Sequence, residues 1–236
     1  MGPPGAGKST VAPLLEAALA ARGWRTGNRF GLGQLASPRV VRYGRLAGFY
    51  LGHPSEVHAV VRLSAAARSP TPVRLLQGVK YVSVWSYRLA GARRQGYDAL
   101  ILDQAVVQSA WSLMMRGSWN EETVYDAVAR TILSAGGRYL LVYFDVAADV
   151  AVKRIAQRPT MESRFDHLDS GETARQLPAQ TARLEKLFAR VVKLTGVAHH
   201  RVDANQPPAS VSSEIETLID TLAPDHRAQA VPPDER

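Results

Sequence analysis

Gly2-Pro3-Pro4-Gly5-Ala6-Gly7-Lys8-Ser9-Thr10 fits the pattern G-x-x-x-x-G-K-[ST], in which glycines let a loop bend until its backbone N–H groups point inward at a chain of phosphates. In that arrangement Lys8 neutralises the β- and γ-phosphates and Ser9 offers its hydroxyl to Mg²⁺. The helix that starts near Gly7 aims the positive end of its dipole at the same anion. Gly2, Pro3, Gly5, Ala6, Gly7, Lys8, Ser9 and Thr10 are therefore the candidate nucleotide-binding residues, with ATP and Mg²⁺ as the expected pair. The plainer alternative is a glycine-rich turn ahead of a helix. The helix half of the expected context is present, because Val11, Leu14, Leu15, Ala18 and Leu19 share one face and Gly23 supplies a stop. Pro13 is a blemish, since inside a helix it removes a backbone bond and favours a kink.

The strand half is missing. A phosphate-binding loop is normally held by a buried apolar strand that ends where the loop begins, and here Met1 directly precedes Gly2. Either the start codon lies further upstream or the sheet tolerates a gap at its centre. The first is the expectation, and it requires upstream codons for a short Val/Ile/Leu-rich run.

A chain of 236 residues has room for one α/β domain with a lid or insertion. The expected organisation is a single domain over residues 1–224, with a helical acceptor region at about 24–95, a lid at about 158–172 and a disordered tail at 225–236. No apolar run is long enough to span a membrane, and a motif opening at residue 2 leaves no place for a signal peptide, so a soluble cytoplasmic protein is expected. The absence of cysteine excludes disulfides, thiolate zinc sites and thiol nucleophiles. A net charge of +8 comes from 24 arginines against 5 lysines. Arginine forks suit small polyphosphates, and a coding bias would give the same balance. No basic run interleaved with aromatics points to nucleic acid.

Along the chain, a weak strand is expected near Trp24–Thr26. Arg39, Arg42 and Arg45 recur at three-residue spacing as a basic stripe, either a solvated face or an acceptor clamp. Helices are expected at 56–67 and 72–94, the second with Tyr81, Trp85 and Tyr87 more as core than as a base-stacking platform. Tyr97–Asp103 reads as a strand buried on both faces and ending in an acid at the ligand-binding rim. Asp103 is thus a candidate to hold the water shell of Mg²⁺ or to take a proton from an attacking hydroxyl, the alternative being a helix cap. A helix over 104–115 follows, then one over 120–134 stopped by Gly136-Gly137. The strand 139–145 ends in Asp145, a rival for the metal that ranks below Asp103. In the helix 147–157, Arg154 and Arg158 are four apart, so both guanidinium groups can converge on one anion, with Arg164 in the loop beyond. Phosphoryl transfer needs such convergence, and a lid that excludes water. The alternative is surface pairing with Glu162, Asp166 and Asp169. A long helix over 173–194, broken or begun near Pro178, a strand 198–203 and a helix 208–222 complete the chain. His199 and His200, without a carboxylate at ligand spacing, read as structural.

Together, the loop at 2–10, the strands ending in Asp103 and Asp145, the Arg154/Arg158 helix, the Arg164 loop and the Val202-Asp203-Ala204 strand before a helix resemble the nucleoside monophosphate kinase group, with thymidylate kinase as the nearest named relative. The resemblance covers residues 2–22 and about 96–222. It implies a P-loop NTPase fold, three layers α/β/α around a mostly parallel sheet, with the first β-strand missing from this chain. It also implies phosphoryl transfer from Mg-ATP to a small anionic or hydroxyl-bearing acceptor, with Lys8, Asp103, Arg154, Arg158 and Arg164 as catalytic residues and Ser9 and Asp103 at the metal. Where that family carries Asp-Arg, this chain has Asp103-Gln104, and its middle segment matches no acceptor-binding stretch, so the acceptor stays open. So does the oligomeric state, a homodimer included. No N/T-K-x-D motif supports a GTPase and no L-S-G-G-Q-like signature a transporter ATPase. A regulatory ATP-binding module or ATPase, and a kinase acting on nucleic-acid ends, are the competing readings.

Overall fold

A computed structural model describes residues 1–28, 48, 50–54, 61, 85, 87, 89, 95–115, 117–158 and 164–222, without the side chains of Asn28, Ala135 and Arg164. The basic stripe at Arg39, Arg42 and Arg45, most of both helices expected between 56 and 94, part of the lid and the tail lie outside these residues.

The loop of residues 2–7 runs into helix α1 (Lys8–Ala21), whose buried face is Val11, Leu15 and Leu19. These apolar contacts carry the helix straight through Pro13. Strand β1 (Thr26–Asn28) pairs in parallel with β2 (Ala99–Ile101), Thr26 opposite Ala99 and Asn28 opposite Ile101. Both strands are shorter or later than the sequence pattern predicts, because a strand extends only as far as its ladder partner. Helix α2 (Val106–Met114) buries Val106, Val107, Ala110, Trp111, Leu113 and Met114. The Trp85 indole, also buried, donates to Ser109 Oγ at 3.0 Å. Helix α3 (Glu121–Ala135) is capped by the Asn120 side chain, which accepts from the Thr123 N–H, and Gly136 ends it with a positive φ of 60°.

Strand β3 (Leu140–Asp145) leads into α4 (Ala148–Ala156), a single 3₁₀ turn at Arg164–His167, and the long helix α5 (Ser170–Thr195). Helix α5 starts earlier than expected and is not broken at Pro178. The Asp169 carboxylate caps it by accepting from the Glu172 N–H at 2.8 Å, and Leu177, Leu184, Leu187, Phe188 and Val191 bury its inner face. Strand β4 (Ala198–Asp203) pairs with β3 in parallel from Leu140 opposite Ala198 to Asp145 opposite Asp203, and α6 (Pro208–Leu222) closes the chain. Helix α1 packs on α6, while α5 packs on α2, α3 and α4. Arg22 ties α1 to α6 through Glu216 at 2.6 Å and Asp220 at 3.0 Å. No helix among the described residues is long and apolar enough to cross a membrane.

The described strands thus form two parallel pairs, β1–β2 and β3–β4. Met1 stands on the edge of β3 opposite β4. Its amine donates to Val142 O, and its carbonyl accepts from the Phe144 N–H at 2.7 Å, the bonding of one rung of a parallel ladder around Tyr143. Burial, with Lys8 nearby adding to it and Asp103 opposing it, lowers the amine pKa from 8.0 to about 4.

The folded state therefore holds this amine neutral, whereas an unfolded chain protonates it below its ordinary pKa. Stability should fall as pH drops from about 8 toward 4, by at most about 5 kcal/mol over four pKa units. An acetylated N-terminus keeps the N–H donor and removes the titration. Urea melts at pH values on either side of 8 should therefore show the acetylated chain gaining on the free one at the acid end only; parallel pH profiles would refute the buried rung.

Candidate phosphate-binding site

The geometry of the loop follows from two glycines with positive φ, Gly5 at 81° and Gly7 at 78°. Gly5 has a second reason to lack a side chain: a Cβ there would lie 2.5 Å from the Ala151 carbonyl oxygen on α4. At Gly2 a Cβ would lie 2.8 Å from the Phe144 carbonyl oxygen. The loop is consequently pressed against the C-terminal end of β3 and the first turns of α4. Around Gly7 a Cβ would meet nothing within 4 Å. On that side lies a cleft of about 440 Å³, floored by Gly5, Ala6, Gly7, Ser9 and Thr10 and walled by Arg154, Arg158, Ala204 and Gln206.

Helix α1 begins at the floor of this cleft. Its N-cap is Gly7, with no side-chain cap and no acidic residue in the first turn. The N–H groups of Lys8 and Ser9, as the first of the helix, have no intrahelical acceptor, and the positive dipole end meets no carboxylate in that turn. Backbone donors and a dipole aimed at open space make an anion site. Lys8 adds a movable charge: its Nζ folds back to donate to Gly2 O at 2.7 Å and Pro3 O at 2.8 Å. Burial, reinforced by Arg158 and opposed by Asp103, lowers its pKa from 10.5 to about 7. An arriving anion would favour the charged form.

The structure brings most of the expected site residues to one place. Asp103, two residues beyond β2, acts electrostatically on both Lys8 and the Met1 amine. Arg158 lines the cleft and acts on Lys8. Arg154 also lines it, but one arm of its fork is already used: Nη1 donates to Ala204 O at 2.8 Å and to Gly5 O at 3.4 Å, bracing α4 against the loop and against the turn after β4. Ser9 and Thr10 are exposed at the floor. The backbone of Arg164 lies in the 3₁₀ turn packed on α4, and its side chain is outside the described residues. Asp145 is exposed, 3.6 Å from Arg201, and does not cap α4, which has no side-chain cap; just ahead of the helix, Asn205 Oδ1 accepts from the Ala147 N–H at 3.1 Å. His200 is bonded to Glu214 at 2.8 Å and His199 meets the Phe188 ring edge-on, as structural histidines.

Two residues that shape the site are absent from the sequence reading. Gln108, buried on α2, accepts from the Gly2 N–H at 3.4 Å. The signal for it was a lone polar residue on the apolar face of that helix. Asn205 fastens the turn after β4: its N–H and Nδ2 donate to Asp203 Oδ1 at 3.0 and 2.7 Å, while its own oxygen holds α4. Those bonds from Asn205 keep the Asp203 carboxyl below the usual carboxylate range.

No protein-family model matches the chain. Among solved structures, deoxyadenosine kinase from M. mycoides with products dCMP and a flexible dCDP bound aligns over 94% of this chain and 97% of its own, with a TM-score of 0.52 at 14% identity. The same enzyme with bound dCTP aligns over 94% and 97%, with a TM-score of 0.49 at 15% identity. The first likeness shows that the chain shares the fold of that structure, α/β with short parallel strands between helices.

Two outcomes are expected of this geometry. Gly5→Ala forces a Cβ into the Ala151 carbonyl at a φ that side chains rarely adopt, which should cost on the order of 2–4 kcal/mol in a denaturant melt and abolish triphosphate binding. Titration of inorganic triphosphate in buffers of different ionisation enthalpy should show the chain taking up about one more proton than its Lys8→Met variant at about pH 8.5, where Lys8 is mostly neutral in the free protein, with the difference nearly gone at about pH 5.5.

Proposed function

We propose that the protein is an ATP-dependent phosphotransferase acting on a small hydroxyl- or phosphate-bearing acceptor of the nucleoside class. The observation that carries this reading is the loop that lays uncapped helix N–H groups and Arg158 around one cleft, with the buried Lys8 Nζ held by the loop carbonyls of Gly2 and Pro3. The fold of the deoxyadenosine kinase supports a nucleoside as acceptor. A nucleoside monophosphate, the substrate class implied by the resemblance to thymidylate kinase, is the second candidate.

In this reading the loop amides and Lys8 bind the β- and γ-phosphates, which raises the Lys8 pKa again and releases its ammonium from the carbonyls of Gly2 and Pro3. Mg²⁺ fits the donor set, because Ser9 and Asp103 are hard oxygen ligands beside a phosphate site. When bound, it would offset phosphate charge. The acceptor oxygen attacks the γ-phosphorus as the bond to the ADP oxygen breaks, and Asp103 takes the hydroxyl proton. Arg158 balances charge spreading over the transferring group. Arg154 is a positioning residue whose bonds hold the loop against α4 and the β4–α6 turn, and Arg164 is assigned to the lid.

The direct test follows ADP release from Mg-ATP, first alone and then with deoxynucleosides, nucleoside monophosphates and simple alcohols. Acceptor-dependent release is expected, and its absence with every acceptor despite ATP binding would favour a regulatory nucleotide-binding module. Lys8→Ala should abolish turnover, and unchanged turnover would reject the site. Arg158→Ala should lower kcat by 10²-fold or more, an order-of-magnitude expectation for one transition-state donor, with little change in ATP affinity. An equal loss in both would assign it to binding alone.

A further inference from the structure

The stretch Val202-Asp203-Ala204, with Asn205 behind it, makes bonds that phosphoryl transfer itself does not use. The Asp203 carboxylate, which can only accept, takes the Asn205 N–H at 3.0 Å and the Asn205 Nδ2 at 2.7 Å on its Oδ1. With its amide nitrogen committed there, Asn205 presents its oxygen, which accepts from the Ala147 N–H at 3.1 Å. The backbone between the two side chains adds two bonds to the β3–α4 segment. The Ala204 N–H donates to Asp145 O at 2.7 Å, and Ala204 O accepts from Arg154 Nη1 at 2.8 Å. The turn after β4 therefore grips α4 just ahead of its first turn and again near its end. Ala147, Ala151 and Arg154 stand at i, i+4 and i+7, so they share the side of α4 that faces the loop and this turn. Ala151 abuts the loop, where a Cβ on Gly5 would lie 2.5 Å from its carbonyl oxygen. Arg158, which lines the cleft, follows just beyond the helix, roughly 15 Å from Ala147. Contacts at Ala151 and Arg154 fix where α4 lies, and a bond at its start fixes the direction in which it carries Arg158.

We infer that Asp203 and Asn205 form a latch that sets the direction of α4 and with it the place of Arg158 at the cleft. Asn205 is the positioning residue, and Asp203 fixes which way its amide points. What Arg158 does once placed rests on the phosphotransferase reading. The latch is coded by polarity: a carboxylate at 203, an amide at 205 and the N–H of Ala147 alternate acceptor and donor along one line. Asn205→Asp, nearly the same in shape, sets two carboxylates side by side with no donor between them. Combining Asp203→Asn with Asn205→Asp reverses donor and acceptor but keeps the line. The amide at 203 then donates to the carboxylate at 205, which still accepts from the Ala147 N–H, and the charge of the turn is unchanged. A latch that works through these bonds tolerates the reversal but not the single changes.

Two readouts test the latch, one of them without nucleotide. In the free chain, Asn205→Ala and Asn205→Asp should each speed hydrogen exchange of the Ala147 amide by about 10-fold or more, and the reversed pair should return it to within about 3-fold of the parent. In turnover with Mg-ATP and an acceptor, well below the Tm of every variant, Asn205→Ala should lower kcat about 10-fold and change KM for ATP by less than about 3-fold, as misplacement of a transition-state donor does. Added to Arg158→Ala, the same substitution should cost less than about 2-fold, because the group it positions is already gone. An unchanged Ala147 amide in Asn205→Ala would overturn the latch. Equal losses of kcat with and without Arg158 would overturn the positioning role and make Asn205 a stabiliser of the turn alone. A parent chain without acceptor-dependent turnover would instead overturn the phosphotransferase reading, and the Ala147 amide would still decide the latch.

Discussion

The close approach of the loop to the end of β3 and the start of α4 governs the rest of the structure. Gly5 lies where any side chain would enter the Ala151 carbonyl, and Gly2 where one would enter the Phe144 carbonyl. Because these contacts fix both flanks of the loop, α1 must leave it in one direction, with its N-terminus beside α4 and the turn after β4. Arg154 then fastens the same three elements by donating to Gly5 O and Ala204 O. A cleft bounded on three sides is the consequence, with helix N–H groups at its floor.

That geometry has an electrostatic cost, which the chain carries in Lys8. A buried ammonium beside Arg158 is unfavourable without a counter-ion, and Asp103 offsets only part of this. The two loop carbonyls that accept from Nζ are dipoles rather than charges, so they hold the side chain without restoring its ordinary pKa. A polyanion supplies what the folded protein lacks. If a polyanion binds there as proposed, binding and protonation at this residue are linked.

The C-terminal half was legible in the sequence nearly to the residue because its signals are local. The strand at 198–203 is bounded by Gly196 and Pro207-Pro208, and the helix from Pro208 shows its apolar period plainly. The strand at 26–28 was hardly legible, since Thr26-Gly27-Asn28 carries no apolar pattern and owes its conformation to backbone pairing with β2. Pro13 and Pro178 misled in the opposite sense. Each removes one helical bond, but the buried faces around them, Leu15 and Leu19 in one case and Leu177 and Leu184 in the other, outweigh that local loss. In the site, Lys8 and Ser9 were readable because a fixed spacing encodes them. Gln108 and Asn205 act through single bonds to distant backbone, for which no spacing exists.

Several arginines among the described residues find partners within the fold. Arg22 pairs with Glu216 and Asp220, Arg183 with Glu121, and Arg190 with Glu122, all of them tying one helix to another. Arg201 lies 4.7 Å over the Tyr143 ring while reaching Asp145 and Glu185. These positive charges meet partners within the protein and create no stripe for a nucleic-acid backbone among the described residues. Lys8 and Arg158 are a different case, because Arg158 acts on the buried Lys8 as a like charge and Asp103 opposes that effect only in part. Like charges held together at a cavity are costly in the empty protein and favourable once an anion lies between them. In the proposed function, a small polyphosphate in the cleft would relieve this repulsion.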